Sequence, residues 1–145
     1  MSQSEFEIIR RYFEKTDLSF PKTGVELAIG DDAALLNIPR GRLLCISLDI
    51  LVADIHFPFS ADPEKIANRA LAVNLSDLAA MGAEPLCFTL GLVTPENNPS
   101  WLERFSAGLV GLAQHFNCPL VGGDITRGPL SIAIQVHGLN EPGSV

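Results

Sequence analysis

Apolar residues follow two periods along the chain, one of about 3.6 residues and one of two, and the changes between them predict the elements. Near the N-terminus, Phe6, Ile9 and Phe13 recur at helical spacing. The sequence Ser-Glu-Phe-Glu at 4–7 is typical of a capping box, in which the first and last residues satisfy each other's backbone N–H groups. A first helix is therefore predicted over residues 4–15.

Two longer helices carry clear start signals. Asp62 precedes Pro63, which is the arrangement of an N-cap residue followed by proline at the first helical position. Gly82 is the residue favoured just past a C-terminus, so a helix is predicted between these points. The sequence Ser-Trp-Leu-Glu at 100–103 has the form of a second capping box, which predicts a helix from there to about Phe116.

Apolar stretches between the helices are predicted to be strands. They are residues 25–29, 43–48, 85–93, 119–121 and 130–137. The stretches at 43–48 and 85–93 are apolar at nearly every position, whereas a sheet with one wet face alternates. This interleaving favours an α+β fold, a mixed sheet with helices layered on one face. We expect a second copy of the chain, or a further domain, to cover the other face.

Carboxylates stand where the chain is otherwise apolar, mostly where strands are predicted to end. They are Asp31, Asp32, Asp49, Asp77 and Asp124. A buried carboxylate is costly unless a cation compensates its charge. Hard oxygen ligands without a Cys/His cluster indicate Mg²⁺. We therefore expect these acids to gather in one pocket that holds a magnesium-bound phosphate group.

Each site also has a simpler interpretation. Residues 30–32 are typical of a solvated turn, and residues 47–49 of a strand end that meets water. The Gly-Gly-Asp sequence at 122–124 matches a bare turn as well as a loop that lets a phosphate approach the backbone. Asp77 is the strongest single candidate, because aspartate is a poor residue inside an alanine-rich helix. His56 is typical of an ordinary polar loop.

Composition narrows the classes of function. The length of 145 residues fits one domain, and the net charge of −7 argues against nucleic-acid binding, which needs a basic face. Three cysteines show no metal-binding spacing, and no apolar run reaches the roughly 20 residues that span a bilayer. The N-terminal segment lacks the features of a signal peptide. We expect a cytoplasmic protein that binds neither nucleic acid nor membrane.

Four segments, in order, resemble the family of thiamine-monophosphate kinases. They are GDDAALL at 30–36, SLD at 47–49 with the histidine at 56, ALAVNLSDLAAMGA at 70–83, and GGD with TRGP at 122–129. The third segment and the TRGP sequence are specific to this family. The acidic frame alone fits the wider superfamily of aminoimidazole ribonucleotide synthetase and selenide water dikinase.

The resemblance implies ATP-dependent phosphorylation of thiamine monophosphate to thiamine diphosphate, assisted by several Mg²⁺ ions. The residues that match the family's metal ligands are Asp32, Ser47, Leu48, Asp49, Asp77 and Asp124. Of these, Leu48 offers at most its carbonyl. By the same resemblance, Gly123 and Asp124 bind ATP and His56 binds the thiamine substrate. The family's N-terminal domain pairs with a second copy into a homodimer with a barrel-like core.

The chain also departs from the family. Leu48, Ile50 and Ile125 stand where the family usually has threonine, which removes hydroxyls near the expected metals and nucleotide. Residues 1–145 are expected to be the ATP- and Mg²⁺-binding dimerisation domain, with the family's C-terminal domain absent and no turnover by the chain alone. Three alternatives stay open: an enzyme like aminoimidazole ribonucleotide synthetase, a non-catalytic nucleotide-binding module, and a magnesium-dependent phosphatase.

Overall fold

A computed structural model describes residues 4–143. The elements are α1 (Glu5–Ile8) continued by a π-helical turn (Ile9–Phe13), β1 (Val25–Leu27), β2 (Leu35–Leu36), β3 (Leu43–Val52), α2 (Pro63–Ala80), β4 (Glu84–Thr94), α3 (Pro99–His115), β5 (Leu120–Arg127) and β6 (Ser131–Asn140). The main sheet has the order β3-β6-β4-β5, with β4 and β5 parallel and the other neighbours antiparallel. The predicted α+β class with a mixed sheet is confirmed.

The hydrophobic core lies between this sheet and the helices. Phe88 and Leu92 of β4 and Ile134 of β6 are at most 1% exposed, and they belong to one cluster with Leu71 of α2 and Phe105 of α3. Burial alternates along β6 with a period of two, as expected when one face of a strand packs on helices. Within residues 4–143, no helix is both long and apolar enough to cross a membrane.

The opposite face of the sheet, here called the outer face, is covered only in part. β1 and β2 pair into a small antiparallel ribbon, and its Val25 and Leu36 pack against Leu86 of β4 and Val121 of β5. The side chains that β3 presents to this face are between 40% and 55% exposed. They are Leu44, Ile46, Leu48 and Ile50. The single chain therefore has an open apolar strip along one edge strand, and its sheet does not close into a barrel.

The first two helices begin where predicted. Oγ of Ser4 accepts a hydrogen bond from the backbone N–H of Glu7, and the Glu7 carboxylate accepts one from the N–H of Ser4, so the capping box is confirmed. This helix is shorter than expected, because it ends in a π-helical turn at Phe13. The α2 helix starts after its N-cap, Asp62, and stops before Gly82, which has φ +68°.

The predicted capping box at 100–103 is wrong. The N-cap of α3 is Asn98, whose side chain accepts a hydrogen bond of 3.2 Å from the backbone N–H of Trp101. Pro99 occupies the first helical position, so Ser100 lies inside the helix. The Asn-Pro pair repeats the Asp-Pro signal of α2, and it prevails because proline fixes a helical φ without needing an N–H partner.

All four strands of the main sheet continue past their predicted ends, and two of these extensions affect the candidate site. β3 runs beyond Asp49 to Val52, because the backbone of β6 continues to pair with it as far as Ser131. β5 runs through residues 122–124, which were expected to form a turn, because they pair with the parallel strand β4. The turn interpretation of the Gly-Gly-Asp sequence is therefore wrong. Conversely, the first strand ends at Leu27, short of the predicted residue 29.

Candidate metal and nucleotide site

β3 and α2 bring three of the candidate residues together. Ser47 and Asp49 share one face of β3, since side chains alternate along a strand. Oγ of Ser47 donates a hydrogen bond of 3.0 Å to Oδ2 of Asp77 on α2. The Asp49 and Asp77 carboxyl groups are also hydrogen-bonding neighbours. Ser47, Asp49 and Asp77 are called the β3–α2 cluster below.

Electrostatics in the β3–α2 cluster favours a cation. Partial burial raises the pKa of Asp49 above its ordinary value, and hydrogen bonding with Asp77 and repulsion from its charge raise it further. A divalent ion between the two carboxylates removes that repulsion. Two carboxylates and a hydroxyl are hard oxygen donors, which suits Mg²⁺ in sites it shares with phosphates and water. The residues present therefore fit Mg²⁺.

The β3–α2 cluster alone is not a closed metal cage. Within residues 4–143, no three or more His, Cys, Asp or Glu side chains are grouped closely enough to hold a metal ion. An ion held by Asp49 and Asp77 would thus take its remaining ligands from phosphate oxygens and water, as Mg²⁺ commonly does.

Two neighbours of the cluster do not contribute side chains to it. Leu48 points to the outer face, where it is 54% exposed, so it has at most its carbonyl to offer. Asn74, three residues before Asp77 on α2, is 1% exposed, and its Nδ2 donates a 2.9 Å hydrogen bond to the Ala70 carbonyl. Asp77 is exposed. Asn74 therefore faces the core and Asp77 faces the solvent.

A second group of candidates lines a cavity of about 500 Å³, here called the β5 cavity. It lies between the N-terminal helix, the loop that joins β1 to β2, and β5. Asp32, Gly123 and Asp124 form part of its wall. Asp31 also lines this cavity, and it caps its own turn, since its Oδ1 accepts a 2.8 Å hydrogen bond from the Asp32 N–H. Apolar side chains including Ile9 complete the lining, a combination typical of small-molecule sites.

The backbone geometry at position 123 requires glycine. Its φ is +151°, and a Cβ at this position would overlap the carbonyl oxygen of Leu90 on the neighbouring strand. The glycine thus leaves bare backbone at the wall of the β5 cavity, where a ligand can approach it closely.

Glu5 is a residue of this site that the sequence did not single out. Its carboxyl group hydrogen-bonds the Asp124 side chain, and this contact is the main cause that raises the pKa of Glu5. The N-terminal helix therefore places an acid against Asp124, one of the residues that line the β5 cavity. In the sequence, Glu5 lies inside the capping-box segment, and no pattern there marks it as a site residue.

The two groups lie at opposite edges of the sheet. Asp49 of β3 pairs with Ile134 of β6, which pairs with Leu90 of β4, which pairs with Gly123 of β5. Three strand spacings separate the ends of this row, or about 14 Å. Within one chain the acids therefore form two sites rather than the single pocket expected from the sequence.

His56 lies beyond the end of β3, in the loop that leads to α2. Its Nδ1 accepts a hydrogen bond of 2.9 Å from the backbone N–H of Val52, and its carbonyl accepts one of 2.7 Å from Arg69 of α2. The loop is therefore held by the same two elements that carry the β3–α2 cluster. Arg127, the last residue of β5, makes its hydrogen bond outside this loop, since its Nε donates at 3.3 Å to the carbonyl of Pro95.

Residues 30–140 match the family model of AIR synthase related protein, N-terminal domain. The chain is 51% identical over 138 residues to thiamine-monophosphate kinase of Escherichia coli (strain K12), covering 95% of this chain and 42% of that protein. The crystal structure of thiamine-monophosphate kinase from Stenotrophomonas maltophilia K279a superposes with a TM-score of 0.84 at 42% identity, over 99% of this chain and 44% of the other. A structure described as AaThiL complexed with AMPPCP and TMP gives a TM-score of 0.68 at 32% identity, over 79% of this chain and 37% of the other. The chain thus spans less than half the length of these relatives.

Proposed function

The chain belongs to the AIR synthase related proteins through their N-terminal domain, and on that premise we propose that it is part of a kinase that phosphorylates thiamine monophosphate to thiamine diphosphate with ATP. The observation that carries the proposal is the β3–α2 cluster, in which Asp49 and Asp77 meet although they are 28 positions apart in sequence. Relatives named thiamine-monophosphate kinase, and a related structure holding AMPPCP and TMP, support this choice of reaction.

The residues of the β3–α2 cluster have two different roles in this proposal, metal binding and orientation of a metal ligand. Asp49 and Asp77 would hold Mg²⁺, which when bound neutralises the oxygens of the transferred phosphoryl group and makes the approach of two polyanions possible. Ser47 holds the Asp77 carboxylate in place through its 3.0 Å hydrogen bond. The acceptor is a phosphate with a second pKa of about 6, so it is already ionised near neutral pH and needs no strong general base.

In this proposal the β5 cavity receives the nucleotide. The bare backbone at Gly123 would let phosphate oxygens come within hydrogen-bonding distance of N–H groups, and Asp32 and Asp124 would share metal ions with those phosphates. The apolar wall offers a surface for the uncharged part of a nucleotide.

We also propose that two copies pair through their outer faces. The exposed strip on β3 is apolar, and such a strip on a soluble protein is typical of an interaction site. Face-to-face pairing about a two-fold axis can bring the β3 edge of one copy beside the β5 edge of its partner. The β3–α2 cluster and the β5 cavity, about 14 Å apart within one chain, would then meet across the interface. We expect the homodimer to act in the cytoplasm, in keeping with three free cysteines.

The test is a turnover assay of the protein at its full natural length with ATP, Mg²⁺ and thiamine monophosphate. Thiamine diphosphate should form only when all three are present. Formation of product from formylglycinamidine ribonucleotide instead would assign the protein to the aminoimidazole ribonucleotide synthetase reaction. Metal-dependent binding of an ATP analogue without turnover of either substrate would favour a non-catalytic module.

A further inference from the structure

We propose that Arg69 is a positioning residue for the thiamine substrate and acts by holding the backbone of His56 against α2. This inference rests on the proposed function, and on the contact of His56 with the substrate that the resemblance to the kinase family implies. The hydrogen bonds made by His56 and Arg69 carry the rest of the argument.

The polar groups of His56 are occupied, except for one ring nitrogen. Its backbone N–H donates to the Val52 carbonyl at 2.9 Å, its Nδ1 accepts from the Val52 N–H at 2.9 Å, and its carbonyl accepts from Nη1 of Arg69 at 2.7 Å. A neutral imidazole whose Nδ1 accepts a hydrogen bond carries its proton on Nε2. His56 therefore presents an N–H donor to an acceptor atom of a ligand.

The rest of the loop is fixed without Arg69. Asp54 adopts a left-handed conformation with φ +64°, donates its N–H to the Phe57 carbonyl at 2.6 Å and accepts at Oδ1 from the Phe59 N–H at 2.9 Å. Phe57 is 7% exposed and belongs to the core. The turn is thus stabilised by its own hydrogen bonds and by core packing. Arg69 adds one further hydrogen bond, to the carbonyl of His56.

Arg69 has no other partner in the described part of the chain. It is exposed, makes this one hydrogen bond and forms no ion pair. Arg104, also exposed on a helix, instead binds Asp62 at 2.8 Å and lies 3.7 Å from Glu64. Exposed polar contacts, such as the hydrogen bond of Arg69 and the ion pairs of Arg104, add little to the stability of the fold. The bond from Arg69 therefore serves to tie the His56 loop to α2, the helix that also carries Asp77.

The test compares Arg69→Met, Arg69→Lys and the control Arg104→Met in the protein at its full natural length. Arg69→Met should raise KM for thiamine monophosphate about tenfold, because the His56 backbone, no longer held against α2, must be ordered again on binding. KM for ATP, kcat and the melting temperature should stay as in the wild type. Arg69→Lys should restore most of the affinity, since lysine also donates to a carbonyl, and Arg104→Met should leave KM unchanged.

Nitrogen-detected NMR of the His56 ring supplies a readout that does not depend on activity. The wild type should show the proton on Nε2, and Arg69→Met should shift or broaden the ring signals, because the His56 backbone is no longer held against α2. An unchanged ring signal together with an unchanged KM would overturn the proposal, as would a loss of melting temperature with equal losses for both substrates. If the wild type does not phosphorylate thiamine monophosphate but its ring signal depends on Arg69, the proposed function fails while the hold on His56 stands.

Discussion

Removing one side chain from the open strip on β3 should weaken self-association by a calculable amount. Ile46 is 52% exposed in the single chain. Full burial of an isoleucine side chain stabilises by about 1.5–3 kcal/mol, so covering the exposed half contributes about 1 kcal/mol. A two-fold interface contains the residue twice. Ile46→Ala should therefore cost about 2 kcal/mol of dimerisation free energy, which is about a 30-fold increase in Kd.

Sedimentation velocity over a range of micromolar concentrations measures this Kd. A matched control is Phe116→Ala, since Phe116 is 42% exposed and is the C-cap residue of α3 rather than part of a strand. The wild type and the control should dimerise alike, and Ile46→Ala should shift the transition to higher concentration. A wild type that remains monomeric throughout, or an Ile46→Ala variant with unchanged Kd, would refute the assignment of the outer face to a second copy.

Two further predictions concern stability, both read from thermal and urea unfolding. Asn98→Ala should lower the free energy of unfolding by about 1 kcal/mol because it removes the N-cap of α3, whereas Ser100→Ala should change it little; equal losses would contradict the assigned cap. Gly123→Ala should lower the free energy of unfolding by about 2–4 kcal/mol, because the added Cβ overlaps the Leu90 carbonyl and alanine is strained at this positive φ. Gly111→Ala is the control: its Cβ meets no atom within 4 Å, so it should stabilise α3 by up to about 1 kcal/mol. A Gly123→Ala variant as stable as Gly111→Ala would argue against the close approach of the Gly123 backbone to Leu90.

The sequence predicted best where a local signal decides the structure. The bounds of α2 follow from Asp62-Pro63 at one end and Gly82 at the other, and both signals act within a few residues of the backbone they cap. The shared face of Ser47 and Asp49 follows from the period of a strand in the same way.

Features that depend on distant partners were not predictable. β5 continues through two glycines because β4 supplies backbone hydrogen bonds, and Leu35–Leu36 forms a strand because β1 lies beside it. No pattern within those segments distinguishes a strand from a turn. The division of the acids between two edges of the sheet likewise follows from the strand order, which the sequence did not specify.

Asp77 is proposed to hold the magnesium needed for phosphoryl transfer, and the turnover number of Asp77→Asn tests this role most directly. The variant keeps the size of the side chain but loses the negative charge. In the protein at its full natural length, kcat with ATP and thiamine monophosphate should fall by about 100-fold or more, with an unchanged melting temperature. Asp17→Asn, a change in an exposed acid away from the β3–α2 cluster, should leave kcat unaltered. Turnover by Asp77→Asn close to that of the wild type would contradict the account.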